Sequence, residues 1–368
     1  MQPSAPISDL KQVTCPNCGA SLSYAPGTTG MTCEHCRSAF EIKVEQSALA
    51  DAHLENDLET ALKKGWQAAG EKEQTTVVKC PACGAESTME KNLFASECPF
   101  CASPLSVTPD VRAIAHPQGV LPFQLVRETA TAEYEKWLRK LWFAPNDLKK
   151  RASADRFNGL YLPFWTFDAA TQTDYRGERG EHYTETRTRV VDGKTVTERV
   201  VKTRWFPASG RVARFFNDLL VTASRALPEN YLARLEPWDL GNLVPYDPRY
   251  LSGFKAEISQ LDIASGFELA KQNMDAVIAG DIRRDIGGDE QRIHQRNTHY
   301  SRTTYKYILL PVWLSVYRYG DKLYRFVVNA RTGEVHGERP YSPWKIALAV
   351  IAALILLAVL ITVFGSGQ

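Results

Sequence analysis

The residues with the clearest chemistry are the eight cysteines, which form one pattern that occurs twice. Each copy reads C-x2-C-x14-C-x2-C, and the second copy lies 65 positions after the first. Two C-x2-C turns on neighbouring hairpins surround one ion with four thiolates, which is the ligand set of a structural zinc site. The sequence therefore predicts two zinc ribbons, each holding one structural Zn²⁺. The predicted ligands are Cys15, Cys18, Cys33 and Cys36 in the first ribbon, and Cys80, Cys83, Cys98 and Cys101 in the second.

Two alternatives stay open at this point. Iron in a rubredoxin-like site uses the same four thiolates, and a crossed arrangement would join Cys15 and Cys18 to Cys98 and Cys101. A thioredoxin-like redox pair is disfavoured because it needs a single C-x2-C beside a βαβ unit. Since four thiolates leave no open coordination position, we expect the metal to be structural and not catalytic.

The ribbons depend on their metal for stability. A ribbon of about 25–30 residues cannot bury enough apolar surface to fold alone. Metal binding supplies on the order of 10–16 kcal/mol per site in small zinc modules at neutral pH. Gly19 and Gly84 follow the first cysteine pair of each copy. Glycine permits the positive φ that turns backbone N–H groups towards the thiolates.

The segment between the motifs, residues 44–73, is polar, rich in alanine and free of proline. Its apolar residues recur every four or five positions, which predicts an amphipathic helix with a narrow apolar stripe. The stripe consists of Leu49, Leu54, Leu58, Leu62 and Trp66. A group of acidic residues is interpreted as a solvated face of this helix, and it comprises Asp51, Glu55, Asp57 and Glu59.

Residues from about 107 onwards have the pattern of an α+β domain with an antiparallel sheet. Helical patterns occur at 129–142, near 214–226 and at 266–286. Polar and β-branched residues alternate on both sides of Asp192-Gly193, which predicts a β-hairpin. A second hairpin is predicted over 313–329.

Aromatic residues in this domain recur in Leu-Pro-aromatic phrases. Phe164 and Trp165 belong to one phrase, and Trp313 and Tyr317 follow another. We expect these four side chains to be core residues, with a ligand groove lined by them as the alternative. His294 and His299 lack a nearby carboxylate pattern and are expected on the surface.

The stretch 346–364 contains 19 residues without a charge, and Thr362 is its single polar side chain. A helix of this length spans roughly 28 Å, enough to cross a bilayer core. Arg331, Arg339 and Lys345 precede it, so the positive-inside rule places the folded part in the cytoplasm. The first residues, 1–12, show no signal peptide. We therefore expect a single-pass inner-membrane protein in a reducing compartment, which agrees with metal-bound cysteines.

The charge distribution argues against a nucleic-acid-binding ribbon. Residues 1–110 carry 8 Lys and Arg against 14 Asp and Glu, whereas 111–345 carry 36 against 28. Phosphate recognition requires a basic surface, and the ribbon half has the opposite sign. A nucleotide-binding loop is also missing, because the nearest match, Gly193-Lys194-Thr195, has Thr188 where the first glycine belongs. We expect no enzyme activity and identify no catalytic or cofactor-binding residues.

With these residues in view, the chain resembles the bacterial membrane-anchored double zinc-ribbon proteins of the TFIIB type. These are often encoded beside phage-shock-like or flotillin-like proteins and are often labelled primosomal helicase-like. Besides the paired ribbons, the resemblance rests on Tyr161-Leu-Pro-Phe-Trp165, on Pro245 to Phe254, on Leu310-Pro-Val-Trp313 and on Tyr324 to Pro340. The last stretch departs from the family's NGQTG turn, since Ala330 and Arg331 replace its Gly and Gln.

This resemblance implies a membrane scaffold that recruits or regulates cytoplasmic or membrane-associated proteins. The expected partners are phage-shock-like or flotillin-like proteins, and the expected role is connected with envelope stress. The alternative is a zinc-ribbon nucleic-acid-binding protein related to replication or helicase modules. The sequence leaves the oligomeric state open. The expected organisation is ribbon 1 over 1–43, a helical linker over 44–75, ribbon 2 over 76–106, an α+β domain over 107–342 and a transmembrane helix over 345–364.

Overall fold

The computed structural model describes residues 13–64, 72–88, 95–106, 110–146, 148, 157–191, 194–227, 229–320 and 322–365. Residues 1–12, for which no signal peptide is expected, lie outside these ranges, as do Trp66 of the predicted linker helix and the predicted turn Asp192-Gly193.

Antiparallel strands flank the cysteines of each motif. The first ribbon is a three-stranded sheet made of β1 (Leu22–Tyr24), β2 (Gly30–Cys33) and β3 (Ala39–Glu41). The strands around the second motif are β5 (Lys72–Lys79), β6 (Glu86–Thr88), β7 (Ala95–Glu97), β8 (Pro104–Ser106) and β9 (Asp110–Ala115). β5 pairs with both β6 and β9, and β7 pairs with β8.

The predicted continuous linker helix is wrong. The segment forms α1 (Gln46–Ala52) and α2 (Leu58–Lys64), separated by the short strand β4 (Asn56–Asp57). β4 pairs with a late strand of the chain, so a long-range ladder interrupts the local helical pattern. As a result Leu58 is buried, whereas Leu54 and Leu62 are exposed.

A nine-stranded sheet forms the centre of the fold, and three of its strands are very long. They are β11 (Asn158–Val191), β12 (Lys194–Thr222) and β15 (Glu290–Tyr319). The sheet order is β12-β11-β15-β10-β13, where β10 is Gly119–Val120 and β13 is Val244–Pro245. β14 (Lys255–Ala256) joins β11, while β16 (Lys322–Asn329) and β17 (Val335–Gly337) extend the sheet beyond β15.

The three long strands, β11, β12 and β15, form an elongated part of the sheet that is called the arm below. At about 3.3 Å per residue, the 34 residues of β11 extend over roughly 110 Å. β11 and β12 pair in antiparallel register out to Val191 and Lys194, which confirms the hairpin predicted there. β15 begins opposite Gly180, so the hairpin beyond this residue continues as a two-stranded extension.

The predicted helix over 214–226 is wrong, because residues up to Thr222 belong to β12. The register shows the reason. Phe167 lies opposite Leu219 and Ala169 lies opposite Phe216, so β12 contains an extra residue. This β-bulge shifts the in-out alternation by one position and gives the apolar residues a spacing that imitates a helix.

One long helix packs on the base of the arm. α5 (Ile263–Ile286) confirms the helix predicted at 266–286, and Asp262 caps it by accepting from the Ser265 N–H at 2.8 Å. Its buried face contacts Trp165 and Phe167 of β11. The guanidinium of Arg214 on β12 donates to both carboxylate oxygens of Asp281 at 2.5 and 2.7 Å, which fixes the helix along the edge strand.

The remaining helices flank the sheet. α3 (Arg127–Arg139) confirms the helix predicted near 129–142. A short α4 (Glu229–Leu232) and three 3-10 turns, Ala233–Leu235, Leu240–Asn242 and Pro248–Leu251, connect β12 to α5. The last helix is α6 (Pro343–Gly365). Its part Pro343–Ile361 has a mean hydropathy of 2.8, none of it is buried in the fold, and it is long and apolar enough to cross a membrane.

The four aromatic residues expected in the core are buried. Phe164, Trp165, Trp313 and Tyr317 are each less than a tenth exposed. Trp165 also donates its indole N–H to the Leu261 carbonyl at 3.0 Å. His294 and His299, expected on the surface, are exposed on β15 and not on a helix.

Candidate metal centres

The first cysteine motif brings its four sulfurs into one cluster. The four Sγ atoms lie within 4.8 Å of one another, with Cys15 to Cys36 and Cys18 to Cys33 both at 3.5 Å. Four thiolates bound tetrahedrally to zinc at about 2.3 Å would stand about 3.8 Å apart, whereas a disulfide needs about 2.05 Å. The spacing therefore fits a four-coordinate metal site and not disulfides.

The second motif reproduces this geometry. The distances from Cys80 to Cys101 and from Cys83 to Cys98 are both 3.6 Å, and all four Sγ atoms again lie within 4.8 Å. Each cluster is formed by one motif, so the pairing is sequential and the crossed alternative is wrong. The two sites fit two zinc ions, one per ribbon.

Backbone turns hold each cysteine pair in place, and they repeat between the ribbons. The Gly19 N–H donates to the Cys15 carbonyl at 2.8 Å, and the Gly84 N–H donates to the Cys80 carbonyl at 2.9 Å. Both glycines have positive φ, of 74° and 75°. The corresponding positions after the second pairs, Arg37 and Ala102, also have positive φ, of 59° and 56°.

Two serines next to the ligands were missed by the sequence interpretation. The Ser38 hydroxyl lies 3.2 Å from the Cys36 sulfur, and its hydrogen bonds lower the pKa of Cys36 to about 6. Ser103 lies 3.3 Å from the Cys101 sulfur. Burial acts to raise the pKa of Cys101, but hydrogen bonds from Ser103 bring it to about 7. Since a bound metal requires thiolates, both serines favour the ligating form. The sequence does contain a signal for these two serines, because Ser38 and Ser103 are related by the same 65-position repeat as the cysteines.

The first ribbon packs against the main domain. The Tyr24 N–H donates to the Ser252 carbonyl at 3.0 Å, and the Ser252 hydroxyl donates to the Leu22 carbonyl at 2.5 Å. The Tyr24 ring meets that of Tyr250 edge-on at 5.3 Å. Cys15 and Cys33 are buried in the same core, whereas Cys18 and Cys36 are exposed. The apolar faces of both ribbons therefore belong to the cores that they share with the main domain.

The second ribbon is joined to the sheet by the bridging segment, residues 255–260. On one side this segment pairs with β11 through β14. On the other side Glu257 pairs with Ser87, and the Ile258 N–H donates to the Glu86 carbonyl at 3.1 Å. Gln260 donates its side-chain amide to the Gly84 carbonyl at 3.1 Å, next to Cys83 of the second thiolate cluster.

A third acidic cluster has a different character. Carboxylate oxygens of Glu55, Asp168 and Asp218 also lie within 4.8 Å of one another. The ammonium group of the buried Lys306 pairs with Glu55 and Asp218, however, and already supplies the cation. Glu55 therefore fastens the linker to β15 through Lys306, and its assignment to a solvated helix face is wrong.

One cavity of about 730 Å³ lies beside the outer edge of β12. Of the four aromatic residues considered for a ligand groove, only Phe164 lines it. The lining contains the carboxylates of Asp218, Glu236 and Asp239 but no His, Cys, Ser, Lys or Arg.

Comparison with known proteins adds a relative but no assigned role. A curated relative, the uncharacterized protein YdjG of Bacillus subtilis (strain 168), is 26% identical over 232 residues. The match covers 63% of this chain and 66% of the relative, which is just under two thirds of the relative's length. No protein-family model and no solved structure matches the chain.

Proposed function

We propose that this chain is a membrane-anchored cytoplasmic adaptor that recruits or regulates protein partners at the inner membrane. Support comes from the combination of two closed four-thiolate sites with an apolar helix that the fold leaves uncovered. A closed thiolate shell stabilises a surface and does not perform chemistry. An uncovered helix of this hydropathy is stable in lipid and unfavourable in water.

The orientation and the partners belong to the same proposal. The basic residues before α6 favour a cytoplasmic fold under the positive-inside rule. The resemblance to membrane-anchored double zinc-ribbon proteins suggests phage-shock-like or flotillin-like partners and a role in envelope stress. The acidic ribbon half favours protein over nucleic-acid partners.

The test compares the proteins that co-purify with the intact chain and with a ribbon variant from gently solubilised membranes. Cys18→Ser/Cys36→Ser suits this purpose because both side chains are exposed and are not part of the buried core. Exchange of the exposed Ser47 to Ala serves as the matched control.

We expect a partner that is retained by the intact chain and by the control and lost from the cysteine variant, while all three stay in the membrane fraction. Identical protein lists from all three chains would contradict an adaptor that acts through its ribbons. Co-purification of nucleic acid that falls with added salt would instead support the nucleic-acid alternative.

A further inference from the structure

A loop far from α6 in sequence lies beside its first turn. This loop, residues 141–144, follows α3 and is called the aromatic loop below. The Ser342 N–H donates to the Phe143 carbonyl at 2.7 Å, and the Lys345 ammonium donates to the Ala144 carbonyl at 2.8 Å. These two bonds hold the aromatic loop at the level where the apolar helix leaves the fold.

The aromatic loop presents its largest side chains to the outside. Leu141 and Ala144 are buried in the core and fix the loop at both ends. Between them, Trp142 is 83% exposed and Phe143 is 41% exposed. Large aromatic side chains dominate cores and interfaces, so two adjacent exposed ones indicate a contact surface.

Two more exposed aromatic residues lie on the other side of the same contact. Trp344 on α6 is 80% exposed, and Tyr341 just before it is 56% exposed. Trp and Tyr concentrate at the boundary between lipid and water, where their rings meet the headgroup region. The aromatic loop and the start of α6 together form one aromatic collar, made of Trp142, Phe143, Tyr341 and Trp344.

The charged residues within the two short stretches that carry the collar are all basic. Arg139 and Lys140 precede the aromatic loop and are exposed, and Arg339 stacks over the Tyr341 ring at 5.2 Å. The sequence stretches 139–146 and 339–346 contain no Asp or Glu. Anionic lipid headgroups attract such residues close to the membrane surface.

We propose that the aromatic loop inserts into the headgroup region of an anionic bilayer as a second membrane contact beside α6. With two contacts, the domain is held at a fixed tilt and cannot rotate freely about a single helix. This inference rests on the proposed membrane anchoring, and it adds a lipid-binding surface within the folded domain.

The experiment uses the full chain in lipid nanodiscs whose acyl chains carry bromine close to the headgroup. Bromine quenches tryptophan fluorescence only at short range. The chain has eight tryptophans, and of those that the structure describes, Trp142 and Trp344 are the most exposed. We expect Trp142→Ala/Phe143→Ala to reduce the quenched part of the emission about twofold, since one of two interfacial rings is lost. Exchange of the buried Trp238 to Phe is the matched control and leaves the quenched part unchanged.

Two further measurements separate the loop from the helix. Trp344→Phe tests the contact of α6 with the membrane alone. Unchanged quenching in this variant would count against α6 as a membrane contact, and the contact of the aromatic loop would still be measured by Trp142. For the loop, the quenching lost in Trp142→Ala/Phe143→Ala is expected to be larger with phosphatidylglycerol than with phosphatidylcholine alone. Equal quenching of the intact chain and the loop variant, or equal loop quenching in both lipids, would overturn the proposal.

Discussion

The bridging segment contains a buried carboxyl group that makes the stability of the protein depend on pH. Glu257 is 2% exposed, and neither of its carboxylate oxygens has a hydrogen-bond partner among the described residues. Burial raises the pKa of Glu257 to about 8, against a smaller opposite effect of the nearby Ser224 side chain. Glu257 is therefore protonated in the folded protein at neutral pH.

The sign and size of the effect follow from this pKa. A glutamate in the unfolded chain titrates near 4.5, so the folded chain holds about one more proton between pH 4.5 and pH 8. The stabilising effect of this proton is complete below the unfolded pKa and is lost as the pH rises through the folded pKa. Each pH unit costs about 1.4 kcal/mol in the middle of this range. Between about pH 6 and pH 8 the free energy of unfolding should fall by roughly 2 kcal/mol.

Glu257→Gln removes the titration while keeping the shape of the side chain. We measure urea unfolding of the full chain in detergent micelles by tryptophan fluorescence across this pH range, beside the exposed control Glu41→Gln. The difference in unfolding free energy between wild type and Glu257→Gln should change by roughly 2 kcal/mol, because contributions of other groups cancel. The protection factors of the backbone amides in residues 84–88 and 255–260, which compare the observed with the intrinsic exchange rate, should fall with pH in the wild type and the Glu41→Gln control but not in Glu257→Gln. Parallel pH curves for all three proteins would refute the assignment of a buried, charge-excluding site.

Four other perturbations have defined outcomes. Gly177→Ala should destabilise the protein by about 1–3 kcal/mol in urea unfolding, because a Cβ there would lie 2.1 Å from the Arg292 carbonyl oxygen. Gly280→Ala, a helix site where no atom beyond the adjoining residues and the helix backbone lies within 4 Å of the new Cβ, should instead stabilise by about 0.5–1 kcal/mol, and destabilisation there would contradict this packing. Lys306→Met should cost about 1–3 kcal/mol by leaving the half-buried carboxylates of Glu55 and Asp218 without a cation, and adding Glu55→Gln should recover part of that loss in a double-mutant cycle. Deletion of residues 343–365 should move the chain from the membrane fraction to the soluble fraction in cell fractionation, and a deleted chain that stays in the membrane would show a stronger contact elsewhere.

The parts of the fold that the sequence predicts well are those specified by local chemistry. The cysteine spacing predicts both thiolate clusters, since each set of ligands spans only 21 positions. The hairpin around 192–193 and the helix α5 also follow from local periodicity. In each case neighbours in sequence decide the geometry, so no knowledge of distant partners is needed.

The parts that the sequence misses depend on partners far away in the chain. The predicted linker helix is interrupted because Asn56 and Asp57 pair with β15. Of the four neighbouring carboxylates predicted on its solvated face, Glu55 is the one that pairs with Lys306. A single bulge in β12 makes a strand look helical. The length of the arm is equally hidden, because alternation shows that a strand exists but not where its partner stops.

The pairing of β4 with β15 also has a consequence for the biosynthesis of the protein. The bond from the Asn56 amide to the Tyr305 carbonyl joins residues 249 positions apart, and the Phe100 carbonyl accepts from Arg325 across 225 positions. The thiolate clusters, in contrast, close within 21 positions and can form as soon as their segments leave the ribosome. The surfaces of the main domain that each ribbon packs against are completed only after most of the chain has been synthesised. During that interval the faces carrying Tyr24 and Phe100 lack the later segments that bury them, so their apolar area stays exposed to water until those segments are made.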